Sequence, residues 1–137
     1  MIASKQVLLG LDVGERRIGV SVGDNIGRLA SPLATLDVDG LEILRLQRLM
    51  LEHDATGFVV GLPRNMSGEA TAQTALVKDF VVRRLNGFEL PVHYQDESLT
   101  SVKAEQELQK RGKPFGKGDV DALAATYILD DYMEGLA

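Results

Sequence analysis

Asp12 stands inside an otherwise apolar run, VLLGLDV, at residues 7 to 13. An ionised carboxylate is costly to desolvate unless something pairs with it. Asp12 therefore needs a partner. One reading makes it a structural aspartate bonded to Arg16, Arg17 or the amides of the following turn; the other makes it a metal ligand or general base at a strand end. A second acidic point, Asp96-Glu97, follows a short extended stretch at 91 to 95. Strand ends beside loops are where functional groups reach a cleft, although either residue could instead cap the helix that follows.

The third point lies near the C-terminus, where helical phase separates two candidates. At about 100° per residue, Asp121 shares a face with Ala124, Ala125, Ile128 and Tyr132, whereas Asp119 points about 200° away. Asp121 heads the buried stripe and is the site candidate; Asp119, after Lys117-Gly118, suits a structural N-cap. Three carboxylates from separate elements, if they converge, cannot all be ionised at close range without cations. Two hard divalent ions, roughly 3.5 to 4 Å apart, would neutralise them, activate a water and stabilise a leaving oxygen in an in-line displacement. That is the chemistry of phosphodiester hydrolysis.

The elements that must position these acids can be read from periodicity and turn residues. Residues 6 to 13 read as a buried central strand, RRIGVSV at 16 to 22 as an alternating strand, and Leu29 to Leu36 as a third with Pro32 at an edge. Their spacing suits an antiparallel meander. Leu41, Leu44, Leu46, Leu49 and Met50 recur at helical spacing after Gly40. GFVVGLP, 57 to 63, is a compact buried strand. A second helix is expected from Ser67 or Gly68 to Leu85 with a stop at Asn86-Gly87, then a strand at 91 to 95. A third helix runs from Thr100 or Ser101 to Arg111, and a last one from Asp119 to Met133. Between them KRGKPFGKG, 110 to 118, reads as a mobile basic loop. The result is one α/β domain over residues 1–137, with a mixed sheet.

Composition is consistent with this. The 137 residues are 45% apolar and 26% charged, the balance of a water-soluble globular chain with a real core. No apolar stretch is long enough to span a bilayer and no signal-peptide pattern opens the chain, so no membrane partner and a cytoplasmic address are expected. The absence of cysteine excludes disulfides, thiolate zinc and a cysteine nucleophile. His53 and His93 have no useful spacing to serine or acid and read as surface or packing residues. A net charge of -5 argues against coating nucleic acid by bulk electrostatics, but basic residues bunch at Arg16-Arg17, Arg83-Arg84 and Lys110, Arg111, Lys113 and Lys117. Such bunches are solvated surface or one polyanion-binding face.

Five segments in order, GLDVGERRIGVSVGD (10 to 24), GRLASPLATL (27 to 36), VVGLPRNMSG (59 to 68), DESLTSVKAE (96 to 105) and KGDVDALAATYIL (117 to 129), resemble the successive motifs of the YqgF, or RuvX-like, family. The resemblance spans nearly the whole chain. It implies a ribonuclease H-like fold, a mixed five-stranded sheet flanked by helices, similar to that of the RuvC resolvases. It also implies a nuclease with a magnesium or manganese cofactor and with Asp12, Glu97 and Asp121 as its acidic cluster. The implied substrate is structured RNA, through 5′-end processing of precursor 16S ribosomal RNA, with branched DNA at a Holliday junction as the alternative. Two departures stand out: Ser98 replaces the arginine usual in the family after Asp-Glu, and, relative to RuvC, the strand ending in VVGLP carries no acid, which leaves its role to Asp96-Glu97.

In GLPRNMSG, Gly61 and Gly68 let backbone approach a ligand, and Arg64 and Asn65 can bond phosphate or sugar. A plain strand-to-helix turn explains the same residues. Arg16, Arg17, Lys110, Arg111, Lys113 and Lys117 could hold phosphates flanking the cut. LLGLDVGERRIGV also resembles the first phosphate motif of actin-like and sugar-kinase ATPases, but those need a second similar domain, for which 137 residues leave no room. The other alternative is a non-catalytic nucleic-acid or ribosome-associated factor; retention of three acids speaks against it. A monomer or a homodimer is expected.

Overall fold

A computed structural model describes residues 4–97 and 100–136. Its elements follow the expected order: β1 (Val7–Val13), β2 (Arg17–Asp24), β3 (Ala30–Asp37), α1 (Glu42–His53), β4 (Ala55–Pro63), α2 (Ala72–Phe80), β5 (Val92–Glu97), α3 (Thr100–Arg111) and α4 (Lys117–Glu134). The five strands lie in the order β3-β2-β1-β4-β5. β1, β2 and β3 form the antiparallel meander, and β4 and β5 run parallel to β1. Pro32 sits in the edge strand β3, beside a register shift that leaves its neighbour Leu33 unpaired, where its missing N–H costs the ladder least.

Parallel neighbours require crossovers, and α1 and α2 supply them on one face of the sheet. There Leu9, Leu11, Ile18, Val20, Phe58 and Val60 pack under Leu46 and Met50 of α1 and Val77 of α2. Each fully buried aliphatic or aromatic side chain of this kind contributes about 1.5–3 kcal/mol. The other face is covered by α4, whose Ile128, Leu129 and Met133 meet Leu8 and Val59. Contact there is backbone-close. A β-carbon on Gly19 of β2 would lie 2.0 Å from the Asp121 carbonyl oxygen, so only glycine at that position lets the start of α4 rest on the strand. Ser21 fixes the same packing by donating to the Ala125 carbonyl at 2.7 Å. α3 packs on the outside of α4 through Ala104, Leu108, Leu123 and Ala124.

Several boundaries differ from expectation, and those nearest the three acids do so for local reasons. α2 begins at Ala72, because Asn65 Oδ1 accepts from the Ser67 and Glu69 amides at 3.0 and 2.9 Å and folds 65–69 into a turn. Thr71 and Thr74 then cap the helix reciprocally. β5 extends to Glu97, paired with Pro63, so Asp96 and Glu97 belong to the strand rather than following it. The basic loop shrinks to 112–116, since Lys110 and Arg111 end α3 while Lys117 and Gly118 begin α4. Asp119 is consequently in the first turn of α4 instead of at its cap, though its role is still structural: its carboxylate accepts from the Gly116 amide at 2.9 Å. Among the described residues no helix is long and apolar enough to cross a membrane.

Candidate active site

Alternation along the strands decides which side chains reach α4. Residues 8, 10 and 12 of β1, 19 and 21 of β2, 59 and 61 of β4 and 93 to 97 in steps of two on β5 share that face. Asp12 is thus on the α4 side, opposite Gly19 across the β1–β2 ladder and one step past the Leu11–Val60 pair, level with Gly61. Glu97, at the end of β5, leans over Gly61: a β-carbon there would lie 2.9 Å from its Oε1 and 2.5 Å from Ile128 Cδ1. The missing side chain at 61 is what lets the Glu97 carboxylate lie across the sheet toward Asp12. Asp121 arrives from the first turns of α4 over Gly19.

These three acids feel one another. Burial, with the charges of Glu97 and Asp121 added, pushes the Asp12 carboxyl up to about 7, and no donor or cation among the described residues offsets it. Burial also raises Glu97, opposed by a short hydrogen bond from the Thr100 hydroxyl to its Oε2. Asp121 is held by Arg17, whose Nε donates to Oδ2 at 2.5 Å. With Glu97 tied to Thr100 and Asp121 to Arg17, no three acids or histidines among the described residues form a ready-made metal cage. The donor set nevertheless suits a hard cation: all oxygen, one member buried with two like charges nearby and no counter-charge of its own.

Two adjoining recesses meet at Asp12. One is lined by Pro63, Arg64, Gln73, Glu97, Thr100 and Val102, the other by Gly14, Glu15, Arg16, Arg17, Gln73 and Asp121. Gln73 walls both and is braced by its amide donating to the Val13 carbonyl at 3.3 Å. Sequence reasoning passed over Gln73 and Gly19, and it read Thr100 as a helix cap. The small residues at every second position of the strand RIGVSVG, Gly19, Ser21 and Gly23, are the signal that could have flagged Gly19.

With this geometry established, relatives become informative. The RuvX family profile, described as Holliday junction resolvase, matches residues 6–135. The chain belongs to the RuvX family. A relative from Chloroflexus aggregans, named "Putative pre-16S rRNA nuclease", is 44% identical over 135 residues, covering 96% of this chain and 95% of the relative. One of the same name from Crocosphaera subtropica is 41% identical over 130 residues, 92% of this chain and 91% of that one. Among solved structures, Thermus thermophilus RuvC in complex with Holliday junction substrate superposes with a TM-score of 0.57 at 17% identity, over 95% of this chain and 97% of that one. Fowlpox virus resolvase with Holliday junction DNA gives 0.55 at 13%, over 94% and 97%. The fold is the ribonuclease H-like fold of the RuvC resolvases, and membership of a RuvX nuclease family makes the chain a hydrolase of phosphodiester bonds.

The basic residues expected to meet nucleic acid divide by position in this RuvX-family chain. Arg16, Arg17 and Arg64 line the acidic cleft. Arg64 is engaged: its Nε donates to Asp96 at 2.9 Å and its terminal nitrogen to the Gly68 carbonyl at 3.3 Å. Asp96 is 71% exposed and turned to that arginine, unlike Glu97. Asn65 braces its own turn through its side-chain oxygen. Lys110, Arg111, Lys113 and Lys117 do not line the cleft; Arg111 and Lys113 instead border a groove with Pro32, Leu108 and Phe115. Arg83 and Arg84 are on the other face, paired with Asp79 and Glu42. His93 packs its ring against Tyr132, centroids 5.2 Å apart. Position 98 lies outside the described residues.

Proposed function

We propose that this chain is a divalent-metal-dependent endonuclease of the cytoplasm that cuts structured RNA, and that its reaction is 5′-end processing of precursor 16S rRNA by a single ribonuclease H-like domain. The observation that carries the reading is the approach of Asp12, Glu97 and Asp121 at one end of the sheet, with Asp12 raised to about 7 by burial and by the other two charges. The names of the relatives, at 44% and 41% identity over nearly the whole chain, direct it to precursor rRNA.

Asp12, Glu97 and Asp121 would hold magnesium or manganese. Such ions, when bound, supply charge neutralisation, activation of water near neutral pH and stabilisation of the leaving oxygen. The chain's own groups do the rest. Thr100 fixes the Glu97 carboxylate, Arg17 fixes Asp121, and Gln73 holds the wall between the two recesses. Arg16 and Arg64 sit where phosphates flanking the cut would pass, and the α3–α4 lysines and arginine offer a second contact farther along a structured substrate.

Branched DNA is the second reading, favoured by the family description and by the RuvC and fowlpox neighbours bound to Holliday junctions. The deciding experiment incubates the protein with precursor 16S RNA, a four-way DNA junction and single strands, in magnesium or manganese, beside Asp12→Asn. Metal-dependent cleavage of the RNA, lost in the variant, is expected. Preferential junction cleavage would move the assignment to resolvase, and equal cleavage by variant and wild type would refute the site.

A further inference from the structure

The Arg17–Asp121 contact is the only described ion pair that involves one of the three clustered acids. Its two members come from β2 and α4, 104 residues apart in sequence, so tertiary structure has put a cation on this carboxylate. The contact uses Nε and one carboxylate oxygen at 2.5 Å, not the two parallel N–H groups of the strong bidentate form. The Arg17 side chain is 32% exposed against 19% for Asp121, so the guanidinium has solvent to swing into while the carboxylate stays in the cleft. A partly exposed pair of this kind shifts an equilibrium by no more than about fivefold. A divalent ion on hard oxygen ligands can displace it.

We propose that Arg17 is an exchangeable internal counter-cation: it holds Asp121 while no divalent ion is bound, yields that carboxylate to an arriving ion, and then presents its freed guanidinium to the substrate phosphate. The inference rests on the metal-dependent reading above and adds an order of events to it. Without the arginine, no described ion pair would hold any of the three carboxylates that face the cleft; with it, Asp121 stays pointed inward in the metal-free protein. Metal loading and phosphate recognition are coupled, because one event releases the group that the other uses. Arg17 shares its cleft with exposed Arg16, so the released guanidinium joins a second cation at the entrance. Guanidinium suits this exchange because its planar fork matches carboxylate and phosphate oxygens alike.

The sign of one measurement separates this role from simple positioning. If Arg17 competes with the ion, Arg17→Ala binds Mn2+ about fivefold more tightly than wild type in calorimetry without nucleic acid. If it merely positions Asp121, the variant binds Mn2+ more weakly. Arg17→Gln, which keeps an uncharged stem over the cleft, repeats the test should the alanine variant be poorly folded. Calcium against EDTA then reads the second half on a labelled RNA hairpin. For wild type, the slope of affinity against salt steepens by about one neutralised phosphate when calcium is added, and for Arg17→Ala it does not. Unchanged or weaker Mn2+ binding in both variants overturns the proposal, as does a calcium-induced increment that survives the substitution. Failure of wild type and both variants to bind Mn2+ at all overturns the metal-dependent reading itself.

Discussion

Replacing Asp12 by asparagine removes a charge that the fold holds at a cost, so Asp12→Asn makes the metal-free protein more stable even as it abolishes cleavage. The Asp12 carboxyl is raised from 3.8 to about 7. At about 1.36 kcal/mol per unit, those roughly three units amount to about 4 kcal/mol against the folded state when the group is fully ionised. Water entering the cleft lowers that to about 2–3 kcal/mol, because the carboxylate is at the wall of a recess and not in a dry core. The direction with pH follows. Below about pH 4 both the folded and unfolded chains are protonated here, and the penalty is absent. Between about 4 and 7 the folded protein keeps a proton that the unfolded chain has lost, so wild-type stability falls as pH rises.

Urea unfolding in EDTA at pH 8, 6 and 4 measures this. The variant's midpoint is expected to exceed that of wild type by about 1.5 M at pH 8, taking a slope of about 1.5 kcal/mol/M, and to converge with it near pH 4. Millimolar Mn2+ should then reverse the order, since ligand binding to the folded state stabilises only the chain that can hold the ion. A variant less stable than wild type at pH 8 would refute the reasoning. Such a loss is what a structural aspartate, paired with an arginine or with turn amides, would produce.

The remaining predictions test how the acids are placed. Gly61→Ala puts a methyl 2.9 Å from Glu97 Oε1 and 2.5 Å from Ile128 Cδ1, so it should cut the single-turnover rate tenfold or more, about 1.4 kcal/mol. Its stability to unfolding should fall by about 1–3 kcal/mol through overpacking. Gly19→Ala meets backbone, 2.0 Å from the Asp121 carbonyl, and should lower thermal stability more severely, because α4 as a whole must move. Thr100→Val removes the hydroxyl that favours the Glu97 carboxylate, so the Glu97 pKa rises further and the acid limb of the pH–rate profile should shift to higher pH. Lys110→Ala with Lys113→Ala, outside the cleft, should weaken substrate affinity and reduce the salt slope by about one for each phosphate no longer neutralised, with the saturated single-turnover rate unchanged.

The face that carries Asp12 was legible where local periodicity alone determines geometry. The alternation of VLLGLDV puts Asp12 on the side opposite Leu9, Leu11 and Val13, and helical phase sets Asp121 apart from Asp119, whose carboxylate closes the first turn of α4 instead. Boundaries failed where a side chain redirected the backbone. Asn65 folds a turn out of residues that also fit a helix start, and the β4–β5 ladder carries strand structure through Asp96 and Glu97, residues with little strand propensity of their own. The ladder also sets those neighbours on opposite sides of the sheet. Consecutive residues of a strand face opposite ways, so once Glu97 shares a face with Asp12, Asp96 is on the reverse side, where Arg64 takes it.

Pairings between distant segments were the least legible. The Arg17–Asp121 pair depends on α4 lying against β2, which depends in turn on a glycine whose meaning is only steric: Gly19 does no chemistry, yet nothing larger would let Asp121 come within reach of Arg17 and Asp12. The same holds for Gly61 beneath Glu97. Charges at this site are therefore positioned by the absence of side chains as much as by their presence. That predicts an asymmetry between neighbouring substitutions: isosteric neutralisation of an acid spares or stabilises the fold while removing activity, whereas adding one methyl beneath an acid harms both. Parallel measurement of unfolding midpoints and single-turnover rates for Asp12→Asn and Gly61→Ala tests that asymmetry directly, and a Gly61→Ala protein with wild-type activity would show that Glu97 does not need the room the glycine leaves.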